Sequence, residues 1–211
     1  MKRKIFLLSV GMILVMVFVQ CNKCGKPKNL GTVDFISTDL SIVPYSGTEK
    51  IVFKDSVGYS LYFYSGYRKF GEYEKDHIFE YYYGECEPDY YYIRNNVTHF
   101  EQANNYGYLE LELLVYYYDN AFHKLFYLQI QYTDSQDWVF DSRFAFNDLS
   151  VLMGIHADNV SFSDSLFVGP NKYYNVYTLT SNNNIKTAYY NTSQGLLGFK
   201  TDEGLLWYLK N

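Results

Sequence analysis

Between Tyr108 and Tyr132 the chain reads YLELELLVYYYDNAFHKLFYLQIQY, and its apolar residues recur at every second position. Leu109, Leu111, Leu113, Val115 and Tyr117 fall on one side of an extended strand. Tyr108, Glu110, Glu112, Leu114 and Tyr116 fall on the other. A two-residue turn at Asp119-Asn120 sets Leu113 opposite Phe126, Leu111 opposite Leu128 and Leu109 opposite Ile130. Both apolar sets then share one face of a hairpin, which a slip of one residue would destroy. Lys124, opposite Val115, is the one misfit on that face.

The same period dominates from residue 50 onward. Further strands are expected at Lys50–Val57, Tyr59–Gly66, His77–Tyr83, Tyr90–Arg94, Trp138–Phe140, Arg143–Phe146, Tyr173–Thr180, Ile185–Asn191, Leu196–Lys200 and Leu205–Leu209. Turn residues such as Glu87-Pro88-Asp89, Gly169-Pro170-Asn171 and Asp202-Glu203-Gly204 separate them. Only Asn147–Met153 reads as helical. Short turns between consecutive strands imply antiparallel pairing, and a sheet of ten or more strands must curl or split. The fold class is all-β: an antiparallel up-and-down curved sheet forming an open or closed barrel, with a β-sandwich as the alternative.

The beginning of the chain follows other rules. Lys2-Arg3-Lys4 precedes the uncharged, apolar run from Ile5 to Val19, the layout of a secretory signal over residues 1–20. As a helix that run reaches about 22 Å, short of the ~30 Å hydrocarbon core that a permanent anchor must span. No Ala-x-Ala-like site follows it; Phe18-Val19-Gln20 leads straight into Cys21. Cys21 and Cys24 also make a C-x-x-C, but their flank is the solvated stretch Gly25-Lys26-Pro27-Lys28-Asn29 rather than the start of a helix that would activate a thiol.

The leader and its cysteine resemble the lipobox of bacterial lipoproteins, and the relaxed form found in the Bacteroidota type. Phe18 and Gln20 stand where that family favours Leu and a small residue. The resemblance implies that Cys21 is acylated and becomes the mature N-terminus, with residues 21–30 as a lipidated tether and 31–211 as one all-β domain. Two or more acyl chains at ~0.8 kcal/mol per buried methylene would make attachment to the membrane effectively permanent. Cys24 and Cys86 then either pair as a disulfide in an oxidising compartment or remain two thiols.

A second likeness lies in the last forty residues. KYYNVYTL, followed by IKTAYYNTSQGLLGFKTDEGLLWYL, resembles a C-terminal pattern of Bacteroidota-type envelope lipoproteins, carried by Tyr173, Asn175, Val176, Tyr177, Leu179, Tyr189, Tyr190, Gly195, Gly198, Phe199, Gly204 and Trp207. Gly195 and Gly198 suit a tight turn and a close backbone approach, while Phe199 and Trp207 suit a core. The resemblance makes Ser56 in Asp55-Ser56-Val57 and Ser165 in Asp164-Ser165-Leu166 candidates for O-glycosylation. It also implies a cell-envelope location at the outer membrane. Lys23 and Lys26, rather than acids, follow the cysteine and favour the periplasmic side.

Charge narrows the partners. Loss of residues 1–20 removes three cations and no acid, taking the formal charge from −5 to −8, and the body from Leu30 onward sets 12 cations against 23 acids. An acidic globule on a basic stem is a poor partner for nucleic acid, whose binding begins with phosphate neutralisation. The 25 tyrosines would serve either an aromatic binding face or, more simply, the cover of a half-wet sheet.

No phosphate loop, nucleophile elbow or His-Glu-x-x-His occurs. His156-x-Asp158 and Glu72-x-Glu74 with Asp76-His77 would need a further ligand to hold a metal. Glu110 and Glu112 share a strand face at roughly 7 Å, yet on the side away from the apolar stripe. No catalytic residue, metal or cofactor is therefore assigned. The expectation is a non-catalytic lipoprotein that binds a ligand, lipid or partner, with an accessory subunit of an envelope complex and an unrecognised hydrolase as alternatives.

Overall fold

The computed structural model describes residues 25–77, 88–103, 107–118, 121–133, 139–147 and 160–210. Its strands are β1 (Asn29–Thr32), β2 (Ile51–Lys54), β3 (Ser60–Phe70), β4 (Glu74–His77), β5 (Tyr90–Ile93), β6 (Asn96–Gln102) and β7 (Tyr108–Tyr118). There follow β8 (Ala121–Thr133), β9 (Val139–Asn147), β10 (Val160–Val168), β11 (Asn171–Thr180), β12 (Ile185–Asn191), β13 (Gly195–Thr201) and β14 (Leu206–Leu209). A single helical turn, α1, covers Ser37–Leu40.

Eleven strands form one antiparallel sheet in the order β10-β11-β12-β13-β14-β2-β3-β6-β7-β8-β9. It curls into a half-barrel, the open form of the expected architecture and not a sandwich. The order is an up-and-down meander in which the last strand returns beside β2, so that among the described residues β9 and β10, consecutive strands, become opposite edges. A second sheet, β1-β5-β4, contains the one parallel pair among the described residues, β1 with β5.

The β7–β8 hairpin has the register expected from its alternation, with Leu109, Leu111 and Leu113 opposite Ile130, Leu128 and Phe126. All six are buried on the concave side. Phe53, Phe63, Phe100, Tyr132, Phe199 and Trp207 complete that core in edge-on and tilted ring contacts such as Phe53–Phe199 at 5.5 Å and Tyr132–Trp207 at 5.8 Å. Each fully buried apolar side chain of this size contributes about 1.5–3 kcal/mol.

Several expectations are corrected. β3 runs on past Gly66 to Phe70, and the separate strands 138–140 and 143–146 are one strand, β9. β6 shows no apolar stripe because its inward residues include Asn96, Thr98 and Gln102. β10 is mostly exposed, so its alternation carries no core signal. Asn147 ends a strand rather than starting a helix, and the rest of that helical window lies outside the described residues. Of the strand expected at His77–Tyr83 only His77 is described, at the end of β4. β1 starts at Asn29, next to Lys28, whose N–H donates to Asp89 Oδ1 at 2.7 Å.

What fills the open side of the curl is the segment from Val33 to Ser46. Phe35, Val43 and Tyr45 are buried in the core of the sheet, packed with residues from strands on both sides of the curl. This plug is fastened by a side chain whose direction a bulge decides. Between Tyr64 and Tyr67 the β3 strand carries two residues against the single Phe100 of β6. The extra residue shifts the phase, so that Arg68, paired with the inward Thr98, points to the concave side. Gly66 sits at this bulge, where a Cβ would lie 1.9 Å from the His99 carbonyl oxygen. The Arg68 guanidinium donates to the carbonyls of Leu40 (2.9 Å), Val43 (3.0 Å) and Tyr45 (3.0 Å), and to Asn96 Oδ1 (3.0 Å).

Two tyrosines fasten the plug from the other side. The Tyr190 hydroxyl donates to the Ile42 carbonyl, and the Tyr45 hydroxyl accepts the Leu196 N–H at 2.9 Å. The misfit Lys124 also turns out to be satisfied: its Nζ lies 2.6 Å from Asp39 Oδ2 on α1. Asp39 in turn accepts the Ile36 N–H.

Candidate functional site

A curved sheet offers two places for a ligand, its concave interior and its outer face. The interior is occupied by the plug. Beside Asp39 and Lys124 there remains a cavity of about 10 Å³, lined otherwise by Phe35, Ile42, Leu113, Leu125 and Phe126. That is room for about one water.

A larger cavity, about 80 Å³, opens between the small sheet and β7. Glu72, Glu74, Arg94 and Asn95 line it together with Ile93, Leu114 and Val115. The Arg94 charge is already engaged: its guanidinium pairs with Asp34 and lies 4.0 Å from the Phe70 ring centroid and 4.8 Å from that of Tyr73. Hydrogen bonding from Arg94 holds the Asp34 carboxyl below its usual range. Asn95 Nδ2 donates to Glu112 Oε1 at 2.7 Å, joining the cavity to the outer face of the main sheet.

That outer face carries a row of aromatic and charged groups. Tyr67, His99 and Tyr108, on β3, β6 and β7, stack in sequence with ring centroids 5.3 and 5.6 Å apart. Lys69 Nζ lies 4.7 Å from the Tyr67 ring centroid, and His99 Nδ1 lies 3.0 Å from Glu110 Oε2. Farther along, Arg143 covers the Tyr127 ring at 3.9 Å and reaches Glu112 at 3.4 Å. In the stack the rings spend their faces on one another, so Tyr67 and Tyr108 cover the sheet more than they offer a platform for a sugar ring.

The two glutamates that share the β7 face are therefore not a free acid–base pair. Glu110 is held by His99, and Glu112 by Asn95 and Arg143. Asp76 is likewise committed, accepting the Tyr117 N–H at 3.0 Å. Among the described residues no group of three His, Cys, Asp or Glu side chains could hold a metal ion. His156 and Asp158 lie outside the described residues, as do Cys21, Cys24 and Cys86.

Both candidate glycosylation serines are exposed. Ser56 occupies the β2–β3 turn, where the buried Asp55 carboxylate accepts the N–H groups of Val57 (2.9 Å), Gly58 (2.7 Å) and Tyr59 (2.8 Å). The aspartate of that motif builds the turn that displays the serine. Ser165 lies on the edge strand β10.

The C-terminal pattern has a structural account. Phe199 and Trp207 are core residues. Gly195 adopts φ +81° against the Tyr45 ring, and Gly198 admits Val168 and the backbone of β14. Asn175 has φ +52°, and among the described residues it is the one non-glycine with positive φ. Asparagine tolerates that conformation better than most residues. Sequence reasoning missed the positive φ of Asn175. Around it Val168, Tyr173 and Val176 form a second apolar cluster with Leu197, Tyr189 and Tyr208.

Comparison with known proteins finds no match among protein-family models, curated proteins or solved structures.

Proposed function

We propose that this chain is a membrane-anchored envelope lipoprotein, held by lipid on Cys21, whose β-body binds a partner without catalysing a reaction. The observation that carries the non-catalytic part is the spending of its chemistry on structure. The carboxylates and the histidine brought together on the outer face are tied to neighbouring side chains, and the interior is filled by the chain's own plug. The anchored part rests on the leader, the cysteine that follows it and the basic stem of Lys23, Lys26 and Lys28. On this reading the protein is lipid-anchored at the outer membrane and faces the periplasm, a side that Lys23 and Lys26 after the cysteine favour.

The sidedness of the sheet fits a body that stands in water. Leucines and aromatics line the concave side while Glu110, Glu112 and Arg143 mark the convex side. A lipid-spanning barrel has the opposite arrangement. A second reading, an accessory subunit of an envelope complex, is favoured by the exposed aromatics of β10 and β11.

Intact mass of the membrane-extracted protein tests the anchor. The expected species begins at residue 21 and carries acyl mass; one that begins at Met1, or at residue 21 without lipid, refutes it. For the body, a saturable ligand on a monomer supports binding. Turnover lost on changing Glu110 or Glu112 to Gln would refute the non-catalytic reading.

A further inference from the structure

The two edges of the large sheet are guarded differently. β9 carries the exposed Arg143, and the curl brings its Ser142 Oγ within 2.8 Å of Ser181 Oγ at the β11–β12 turn. β10 is more thinly protected, with a single charge, Asp164, at its centre. It is nine residues long, VSFSDSLFV, without proline, lysine or arginine. It pairs with β11 on one side, and among the described residues no backbone hydrogen bond is made from the other. Phe162 and Phe167 are 47 % and 67 % exposed, and Tyr174 on the adjoining strand is 62 % exposed. A long edge with exposed aromatic side chains and a single charge is a template for another strand.

The sequence of β10 identifies which strand. It reads nearly the same from either end, with Asp164 at its centre. Antiparallel pairing about a two-fold axis at Asp164 sets Val160 against Val168 of a second copy, Phe162 against Leu166, and Ser163 against Ser165. Valine then meets valine, Phe162 meets Leu166 and serine meets serine, while Ser161 meets Phe167 and Asp164 meets its own copy. Asn175, with its positive φ, lies between the pairs Ser163–Val176 and Ser165–Tyr174, opposite Asp164 on the same axis.

We propose that β10 is a docking edge for a second copy of this chain, with the two β10 strands paired antiparallel about Asp164. The interface is small. At ~150–250 Å² per aromatic side chain, the exposed parts of Phe162, Phe167 and Tyr174 amount to roughly 700 Å² over two copies, before the strand backbones are added. Stable interfaces start near ~1,200 Å². Asp164 also faces its own copy, and like charges directly opposite weaken a strand pair. The association is therefore weak and concentration-dependent, and it concerns the body alone, whatever membrane or compartment holds it.

The test uses the purified full-length chain in detergent under mild oxidation. Directly opposed strand residues are close enough for a disulfide. Asp164→Cys should give a covalent dimer of twice the chain mass, whereas Ser161→Cys, which would face Phe167, should give no more than the unaltered chain. Adding Phe167→Lys to Asp164→Cys should abolish the dimer. Equal cross-linking at 161 and 164, or none at 164, overturns the proposal, as does capture of a different protein through the introduced thiol in membranes of the producing cell. As an independent measurement, Asp164→Asn should tighten self-association in sedimentation equilibrium by on the order of two- to fivefold. An unchanged or weaker association counts against the axis.

Discussion

Replacing Arg68 by Ala should loosen the plug that closes the half-barrel. The side chain makes four charge-assisted hydrogen bonds, three of them to plug carbonyls of Leu40, Val43 and Tyr45. At about 1.5–3 kcal/mol for each bond to a charged group, a simple total would approach the whole stability of a domain. Two opposing effects reduce it. Burial already costs the guanidinium some of its hydration, which is why its pKa lies below the ordinary arginine value. Water can also reach some of the carbonyls once the side chain is gone. A loss of about 3–5 kcal/mol follows, or roughly a 10 °C fall in Tm for a chain of this size. Arg68→Lys should recover only part, because an ammonium lacks the planar fork that spans several carbonyls. Denaturant unfolding followed by near-UV circular dichroism measures the loss. Hydrogen exchange at the Leu196 amide, which donates to Tyr45, reports the plug itself. If Arg68→Ala stays within about 1 kcal/mol of the parent and Leu196 remains protected, the guanidinium does not hold the plug.

Three further outcomes rest on the same packing. Thr98 is buried and its hydroxyl has no partner among the described residues, so Thr98→Val should raise stability by about 1 kcal/mol in a thermal melt. Asn175→Val should destabilise by about 1–2 kcal/mol although the side chain is exposed, because a β-branched residue resists φ +52°, while Asn175→Gly should be near neutral. Burial raises the pKa of both Tyr45 and Tyr190 above the ordinary value of 10.0. The stability they contribute is complete below pH 10 and declines as pH rises through their raised values, since the unfolded chain loses those protons first. In an alkaline titration read by tyrosinate absorbance, these two should ionise only with unfolding, and Tyr190→Phe should lessen the alkaline loss.

The exposed serines show how far local pattern reaches. Ser56 and Ser165 are both accessible where the three-residue motifs occur, because an aspartate that turns the chain and a thinly apolar edge strand both leave a serine outside. The metal-like spacings were less informative. Glu72 and Glu74 do meet at one cavity, but Asp76 is committed to the Tyr117 amide, a contact across 41 positions that no spacing rule contains. His99, which joins Tyr67, Tyr108 and Glu110 into one row, was invisible because β6 lacks an apolar stripe.

Alternation is a property of the pleat, and it is local, so the amino-acid order alone determined that this chain is built of strands. It also determined which side of β7 and β8 faces inward, and that hairpin's register residue for residue. Tertiary structure decided the rest. The return of β14 to β2, the plug in the curl, the bulge that turns Arg68 inward and the pairing of Lys124 with Asp39 join residues dozens of positions apart. Each is chosen by which buried polar groups must find partners once the sheet has curled, a condition that exists only in the assembled fold.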